Sequence, residues 1–188
     1  RSIRSYEKAE IELERVLTLY HRPDQLNLTI RLHAKNEIAM VHEALGNYVE
    51  AEPMLEELLQ RRTQSLGANH NDVIDAQIDL AIVYRRIGKL EQAENRCTQS
   101  LSLLNDQNRT QDDPMLLRCM TELSRIYLAS DKIQQAESLA RNTYERSRLR
   151  FGANNPKSLR RGQVLVECLG KLGRLDDAQD LSTQIVSK

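Results

Sequence analysis

The chain has 188 residues, and its 27 basic and 27 acidic side chains leave it formally neutral, so total charge points to no strongly basic or acidic partner. Hydrophobic residues make up 40% and charged residues 29%, enough apolar side chain to fold, and no run of eighteen apolar residues exists to cross a bilayer. Six Tyr, one Phe, no Trp, seven Gly and four Pro argue against β-rich sandwiches with their frequent turns, while the wealth of Leu, Ala, Glu, Gln and Arg favours helix.

The first predicted element is a helix over 5–20 that contains Tyr6 and Ala9-Glu10. Its Ala-acid pair returns as Ala51-Glu52, Ala93-Glu94, Ala136-Glu137 and Ala178-Gln179, at steps of 42, 42, 43 and 42 residues, and a constant period of this size signals stacked repeats. The next unit, about 27–65, holds a helix, a turn at Gly46 and a second helix beginning near Tyr48. Units of about 71–104, 113–150 and 156–187 follow, with turns at Gly88, Asp131 and Gly173 and second helices from Leu90, Ile133 and Leu175. Counting back seven residues from the turn gives Ala39, Ala81, Ser124 and Val166; five gives Val41, Val83, Ile126 and Cys168; fourteen gives Leu32, Ile74, Leu117 and Leu159. Those offsets trace one face of a 3.6-residue helix. Gly67 and Gly152 follow the second helices, where a left-handed residue closes a C-terminus without Cβ strain. Asn71-Asp72, Asp113-Pro114, Asn155-Pro156 and the stretch from Asp24 to Thr29 open the following first helices as caps or first-turn residues. The extra residue of the 43-residue step falls in a polar loop between Asn105 and Asp113. Pro53 sits early in its helix, close to where proline is tolerated.

Leu66-Gly67-Ala68-Asn69-His70-Asn71, Phe151-Gly152-Ala153-Asn154-Asn155-Pro156, Leu80-Ala81-Ile82-Val83-Tyr84 and Asn36-Glu37-Ile38-Ala39, repeating at 42 residues, resemble the tetratricopeptide repeat in its kinesin light chain-like form. Related arrays occur in the sensor regions of STAND-type signalling ATPases. The resemblance covers the whole chain. It implies an all-α, right-handed solenoid of antiparallel helix pairs, about nine helices in a single array over 1–188, expected to be a piece of a larger protein. By the family's register, the first helices line a concave peptide-binding groove with His33, Asn36, Met40, Glu43, Asp75, Ile78, Ile82, Arg85, Arg118, Thr121, Arg125, Arg160, Gln163 and Glu167. Met40, Ile78 and Ile82 suit an apolar side chain, and the arginines suit carboxylates.

The implied function is a non-enzymatic protein-interaction scaffold for a peptide segment of a partner. The alternative is an intramolecular sensor or spacer of a larger signalling or motor-adaptor protein. No phosphate-binding loop, GxGxxG, GxSxG or HExxH stands in the chain, so no catalytic residue, metal or cofactor is expected. Cys97, Cys119 and Cys168 form no CxxC pair and read as reduced core thiols of a cytoplasmic protein. His42 occupies a slot filled by Tyr84 and Tyr127 elsewhere and reads as a core histidine. Residues 140–188 hold ten basic and five acidic groups, which favours an acidic protein segment; nucleic acid is not expected, since the tyrosines of the repeat leave little aromatic surface for stacking bases. Uncapped end helices are expected to allow end-to-end dimers.

Overall fold

The apolar stripes with a 3.6-residue period do become helices. The computed structural model describes residues 3–19 and 25–186, and among them nine helices and no strand occur. The chain divides into two compact units, Arg1–Lys89 and Leu90–Lys188. In the first, α1 (Ile3–Leu19) packs on α2 (Gln25–Leu45), α2 on α3 (Tyr48–Leu66) and α3 on α4 (Asn71–Arg86). In the second, α5 (Leu90–Asp106), α6 (Pro114–Ala129), α7 (Ile133–Phe151), α8 (Pro156–Lys171) and α9 (Leu175–Val186) each pack on the next, and α6 also touches α8. Packing of consecutive helices is what short connections between amphipathic helices produce.

The ends of the helices follow from a few residues. Asp113 Oδ1 accepts from the amides of Met115 at 2.8 Å and Leu116 at 3.1 Å, and Asn155 Oδ1 accepts from that of Lys157 at 2.9 Å; each stands just ahead of a proline at the first helical position. In front of α4 the cap is His70, whose Nδ1 accepts from the Asp72 amide at 3.1 Å, so Asn71 is already helical. Asp24 lies outside the described residues. Gly67 and Gly152 end the second helices at positive φ, 83° and 90°, but with ψ of 155° and 156°, an extended glycine conformation rather than the left-handed helical one expected. The turns inside the pairs are left-handed, at Gly46, Gly88, Gly173 and, with a side chain, Asp131 at φ 58°. Closure is the same each time: the amide of the next residue donates to a carbonyl five back, as in Lys132 to Tyr127 at 2.8 Å. Pro53 lies inside α3, and the helix continues through it to Leu66.

The regular spacing of Ala, Leu, Ile and Val builds the cores. In the first unit Ile38, Leu58, Ile74, Ile78 and Leu80 are fully buried. In the second, Ala136, Ala140, Tyr144, Val164, Leu165, Cys168, Leu169 and Ala178 form one cluster. A further link repeats along the chain. The acid of the Ala-acid pair meets the basic residue that follows the next turn: Glu52 with Lys89, Glu94 with Lys132 at 2.7 Å, and Glu137 with Arg174 at 3.5 Å. Lys89 and Lys132 also lie 5.8 and 5.6 Å from the ring centres of Tyr84 and Tyr127.

Candidate functional site

The first helices of the pairs, α2 and α4 in one unit and α6 and α8 in the other, carry the positions expected to meet a ligand. In the first unit Met40 is 51% exposed, a long apolar side chain held in water, while Asp75, Ile82 and Arg85 are half-buried. Asn36 is half-buried too, and its Oδ1 is enclosed without a hydrogen-bond partner. The side chains of His33 and Glu43 lie outside the described residues. In the second unit Arg118 and Arg125 are half-buried, and Arg160, Gln163 and Glu167 are exposed.

Two of the expected residues are not at the surface. Ile78 is fully buried, because α4 is apolar on nearly every side, with Val73, Ile74, Ala76, Leu80, Ala81 and Val83 buried as well. Thr121 is 8% exposed: its hydroxyl donates to the Leu117 carbonyl at 2.5 Å and accepts from Arg161 Nε at 3.2 Å, so a side chain from α8 covers it.

Arg161 is the residue that the groove positions leave out. It is 8% exposed, and besides Thr121 its Nη1 donates to Ser147 Oγ at 3.2 Å and to the Lys157 carbonyl at 3.1 Å. Ser147 and Ser158 stand 3.0 Å apart beside it, and its Cζ lies 5.9 Å from the centre of the Phe151 ring. Burial, and then the charges of Arg125 and Arg160, push the guanidinium below its ordinary range. A sequence signal for it existed in the repeat register: twelve residues before the turn stand Ala34, Ala76 and Cys119 in the earlier repeats. Arg161 is thus a large cation in a slot otherwise filled by small apolar residues.

Much of the basic surface of residues 140–188 is engaged. Arg141 meets Glu137 at 2.5 Å and Arg150 meets Asp112 at 2.9 Å, where the Thr110 hydroxyl and then Arg150 hold the Asp112 carboxyl below its usual range. Arg146 donates to the Gln111 carbonyl at 3.3 Å and borders a cavity of about 450 Å³ that Leu101, Asn105, Arg109, Leu116 and Met120 also line. His42 is buried, with Nε2 3.2 Å from Glu10 Oε1. All three cysteines are buried as free thiols. The contact with Cys119 and burial push the Cys97 thiol up, and burial pushes that of Cys168 up to about 12, which keeps both protonated and unreactive. Among the described residues no group of three or more His, Cys, Asp and Glu side chains could hold a metal ion, and no helix is long and apolar enough to cross a membrane.

Comparison with known proteins bears on the fold. No curated protein sequence matches the chain. The structure is similar, with a TM-score of 0.78 and 22% identity over 97% of this chain and 85% of the other, to a single-substitution form of the nearly identical TPR-like repeats of a Podosopora anserina protein described as a kinesin light chain. It is also similar to BtubC (BKLC) of P. vanneervenii, with a TM-score of 0.72, 19% identity and coverage of 100% of this chain and 72% of that one. The Rap conjugation gene regulator of the plasmid pLS20, in complex with the Phr* peptide, gives a TM-score of 0.74 at 17% identity over 98% of this chain and 47% of the regulator. These likenesses show an all-α solenoid fold. Two models of the tetratricopeptide repeat match residues 30–106 and 116–157, more than half of the sequence between them, and the chain therefore belongs to the tetratricopeptide repeat family.

Proposed function

We propose that the protein is a non-enzymatic interaction scaffold whose first helices bind a peptide segment of a partner, in a cytoplasmic setting that suits three reduced cysteines. The observation that carries this reading is the mixed character of their accessible positions. Met40 offers an exposed apolar contact in the first unit, and Arg118, Arg125 and Arg160 offer cations in the second. Taken separately, the first suits an apolar side chain and the second suits acidic residues of an extended segment. The pLS20 regulator, a structural neighbour, is itself a peptide complex, which supports the choice of ligand class.

Ordering a flexible peptide costs free energy, so the expected affinity is micromolar, on the order of −8 kcal/mol. The test is a displayed random-peptide library selected on the purified chain and, in parallel, on the double variant Arg118→Glu, Arg125→Glu. Enrichment of acidic sequences on the parent chain, lost on the variant, is the expected result. Selection of the same sequences by both proteins places the binding face elsewhere. Selection of none overturns the scaffold reading.

A further inference from the structure

The connection between α5 and α6 departs from the other connections between pairs. The 42-residue period lengthens to 43 there, and α5 has 17 residues where α3 and α7 have 19. Fifteen residues after the Ala of the Ala-acid pair stand Leu66 and Phe151 in those two helices, each followed by a glycine; the same count from Ala93 gives Asn108, at φ 50°, followed by Arg109. A polar residue thus takes the place of the apolar one that ends the other second helices, and it lines the cavity of about 450 Å³. That volume falls in the range of about 300–1,000 Å³ in which small-molecule ligands are held.

The cavity has an aliphatic floor and a polar rim. Leu116 and Met120 are buried and Leu101 is half-buried on the floor, while Asn105, Asn108 and Gln111 are exposed at the rim, and their carboxamides make no hydrogen bond among the described residues. The loop that carries two of these amides is fastened in place. Arg109 donates to Gln107 Oε1 at 2.7 Å and to Asp113 Oδ2 at 3.2 Å, Arg150 donates to Asp112 Oδ2 at 2.9 Å, and the Asp113 amide donates to the Thr110 carbonyl at 2.9 Å. Each carboxylate of the loop is therefore matched by an arginine. Arg146 lacks such a match: half-buried, it donates through Nη1 to the Gln111 carbonyl at 3.3 Å, stands 4.0 Å from Met120 Sδ, and meets no carboxylate among the described residues. Its Nε and Nη2 make no hydrogen bond among them.

We propose that this cavity is a nucleotide site, taking a nucleoside monophosphate with its base on the floor of Leu101, Leu116 and Met120, the edge of the base against the carboxamides, and the phosphate at Arg146. Carboxamides carry both donors and acceptors, which match the alternating donors and acceptors along a nucleobase edge. The unmatched guanidinium presents a fork that suits phosphate oxygens. One enclosed base can rest on an apolar floor, whereas binding of a polymer calls for aromatic platforms along its length. None of the accessible groove positions lines the cavity, so the site stands or falls apart from the peptide-binding reading.

Calorimetric titration of the whole chain tests it, with adenosine, guanosine, cytidine and uridine 5′-monophosphates compared with their nucleosides, ribose 5-phosphate and inorganic phosphate. Saturable binding of at least one nucleotide is expected, with Kd below about 1 mM, and about tenfold or more tighter than that of its nucleoside or of ribose 5-phosphate. Arg146→Gln keeps a donor for the Gln111 carbonyl and removes the charge, so it should weaken the nucleotide about tenfold and leave the nucleoside unchanged. The double variant Asn105→Ala, Gln111→Ala alters only exposed side chains and should weaken nucleotide and nucleoside alike by a few-fold. Failure of all the nucleotides to saturate overturns the site, as does ribose 5-phosphate or phosphate binding as tightly as the best of them. Unchanged nucleotide affinity in Arg146→Gln overturns it too. Backbone amide shifts on adding the nucleotide should centre on residues 101–120 and 146, and shifts centred elsewhere refute the assignment even where binding is tight.

Discussion

Helices α4 and α8 hold the same place in their repeats, have the same length of 16 residues, and bury their side chains in different chemistry. Helix α4 encloses Val73, Ile74, Ala76, Ile78, Leu80, Ala81, Val83 and Tyr84 with one polar side chain, Gln77, whereas α8 encloses Ser158, Arg161 and Gly162 beside Val164, Leu165, Cys168 and Leu169. The backbone of the repeat therefore tolerates an apolar or a polar interior, provided that each polar group finds partners. In α8 the polar interior is held by hydrogen bonds among Arg161, Thr121, Ser147 and Ser158. A helix with an apolar interior mainly holds its unit together.

Moving the arginine from one helix to the other breaks the comparison most severely. The position in α4 that corresponds to Arg161 is Ala76, and the residues in register with Thr121, Ser147, Ser158 and Phe151 are Asn36, Arg62, Val73 and Leu66. No hydroxyl cradle exists there, and a second cation does. Ala76→Arg is expected to cost upwards of about 4 kcal/mol, from overpacking together with an unpaired buried charge, and to unfold the first unit at ordinary temperature. Urea unfolding followed by circular dichroism measures it. A loss near 1 kcal/mol would mean that the cradle is not what admits Arg161.

Two glycines of α8 sharpen the contrast, because they should respond to alanine in opposite directions. A Cβ on Gly162 would meet Ile185 Cδ1 at 2.6 Å and Tyr144 Cε2 at 2.9 Å, and the tyrosine ring has little room to give. Overpacking of roughly 1–3 kcal/mol, offset by up to about 1 kcal/mol of helix propensity, leaves Gly162→Ala destabilising by about 1 kcal/mol. A Cβ on Gly170 meets nothing within 4 Å, so Gly170→Ala should stabilise by about 0.5–1 kcal/mol. Thermal melts of the pair decide the matter, and shifts of the same sign would contradict the packing of α9 against α8.

The turns differ at one position as well. Gly46, Gly88 and Gly173 take left-handed backbone freely, and Asp131 takes it at φ 58° with a Cβ that disfavours it. Asp131→Gly is expected to raise stability by about 0.5–1 kcal/mol, visible as a later midpoint in a denaturant titration with unchanged slope. A loss of stability would show that the aspartate side chain contributes a compensating interaction.

Most of the helices and turns were legible in the sequence because they depend on local chemistry that recurs every 42 or 43 residues. Asp113-Pro114 and Asn155-Pro156 start helices wherever they stand, and Gly67 ends one for reasons contained in its own backbone. The exposure of the expected groove positions was legible only in part. A 3.6-residue period identifies the stripe that faces the core, but whether a residue at its margin is covered depends on how large a side chain arrives from a distant helix. Thr121 is covered because Arg161 reaches it from 40 residues away, and Ile78 because α4 has apolar neighbours on nearly every side. Arg161 itself stood out in the register as the large residue in a small slot, a signal that appears only when the slots of all repeats are compared with one another rather than with an external pattern.

The smallest expected effect concerns the link between consecutive pairs. Lys89, Lys132 and Arg174 each follow a left-handed turn and meet Glu52, Glu94 or Glu137, whereas the first turn is followed by Asn47, and Glu10 is met by His42 at 3.2 Å instead. Asn47 makes no side-chain capping bond at the start of α3, so replacing it sacrifices no cap. Asn47→Lys should therefore place an ammonium beside Glu10 and tighten α1 against α2 by less than about 1 kcal/mol, since solvent-exposed ion pairs rarely give more. Two controls separate a true pair from a general change in charge. The gain should shrink in about 1 M salt, where the screening length falls to about 3 Å, and it should vanish in the Glu10→Gln background. A gain that survives both would mean that the new lysine acts by covering apolar surface with its stem, and that the recurring Glu–Lys link owes its stability to packing rather than to charge.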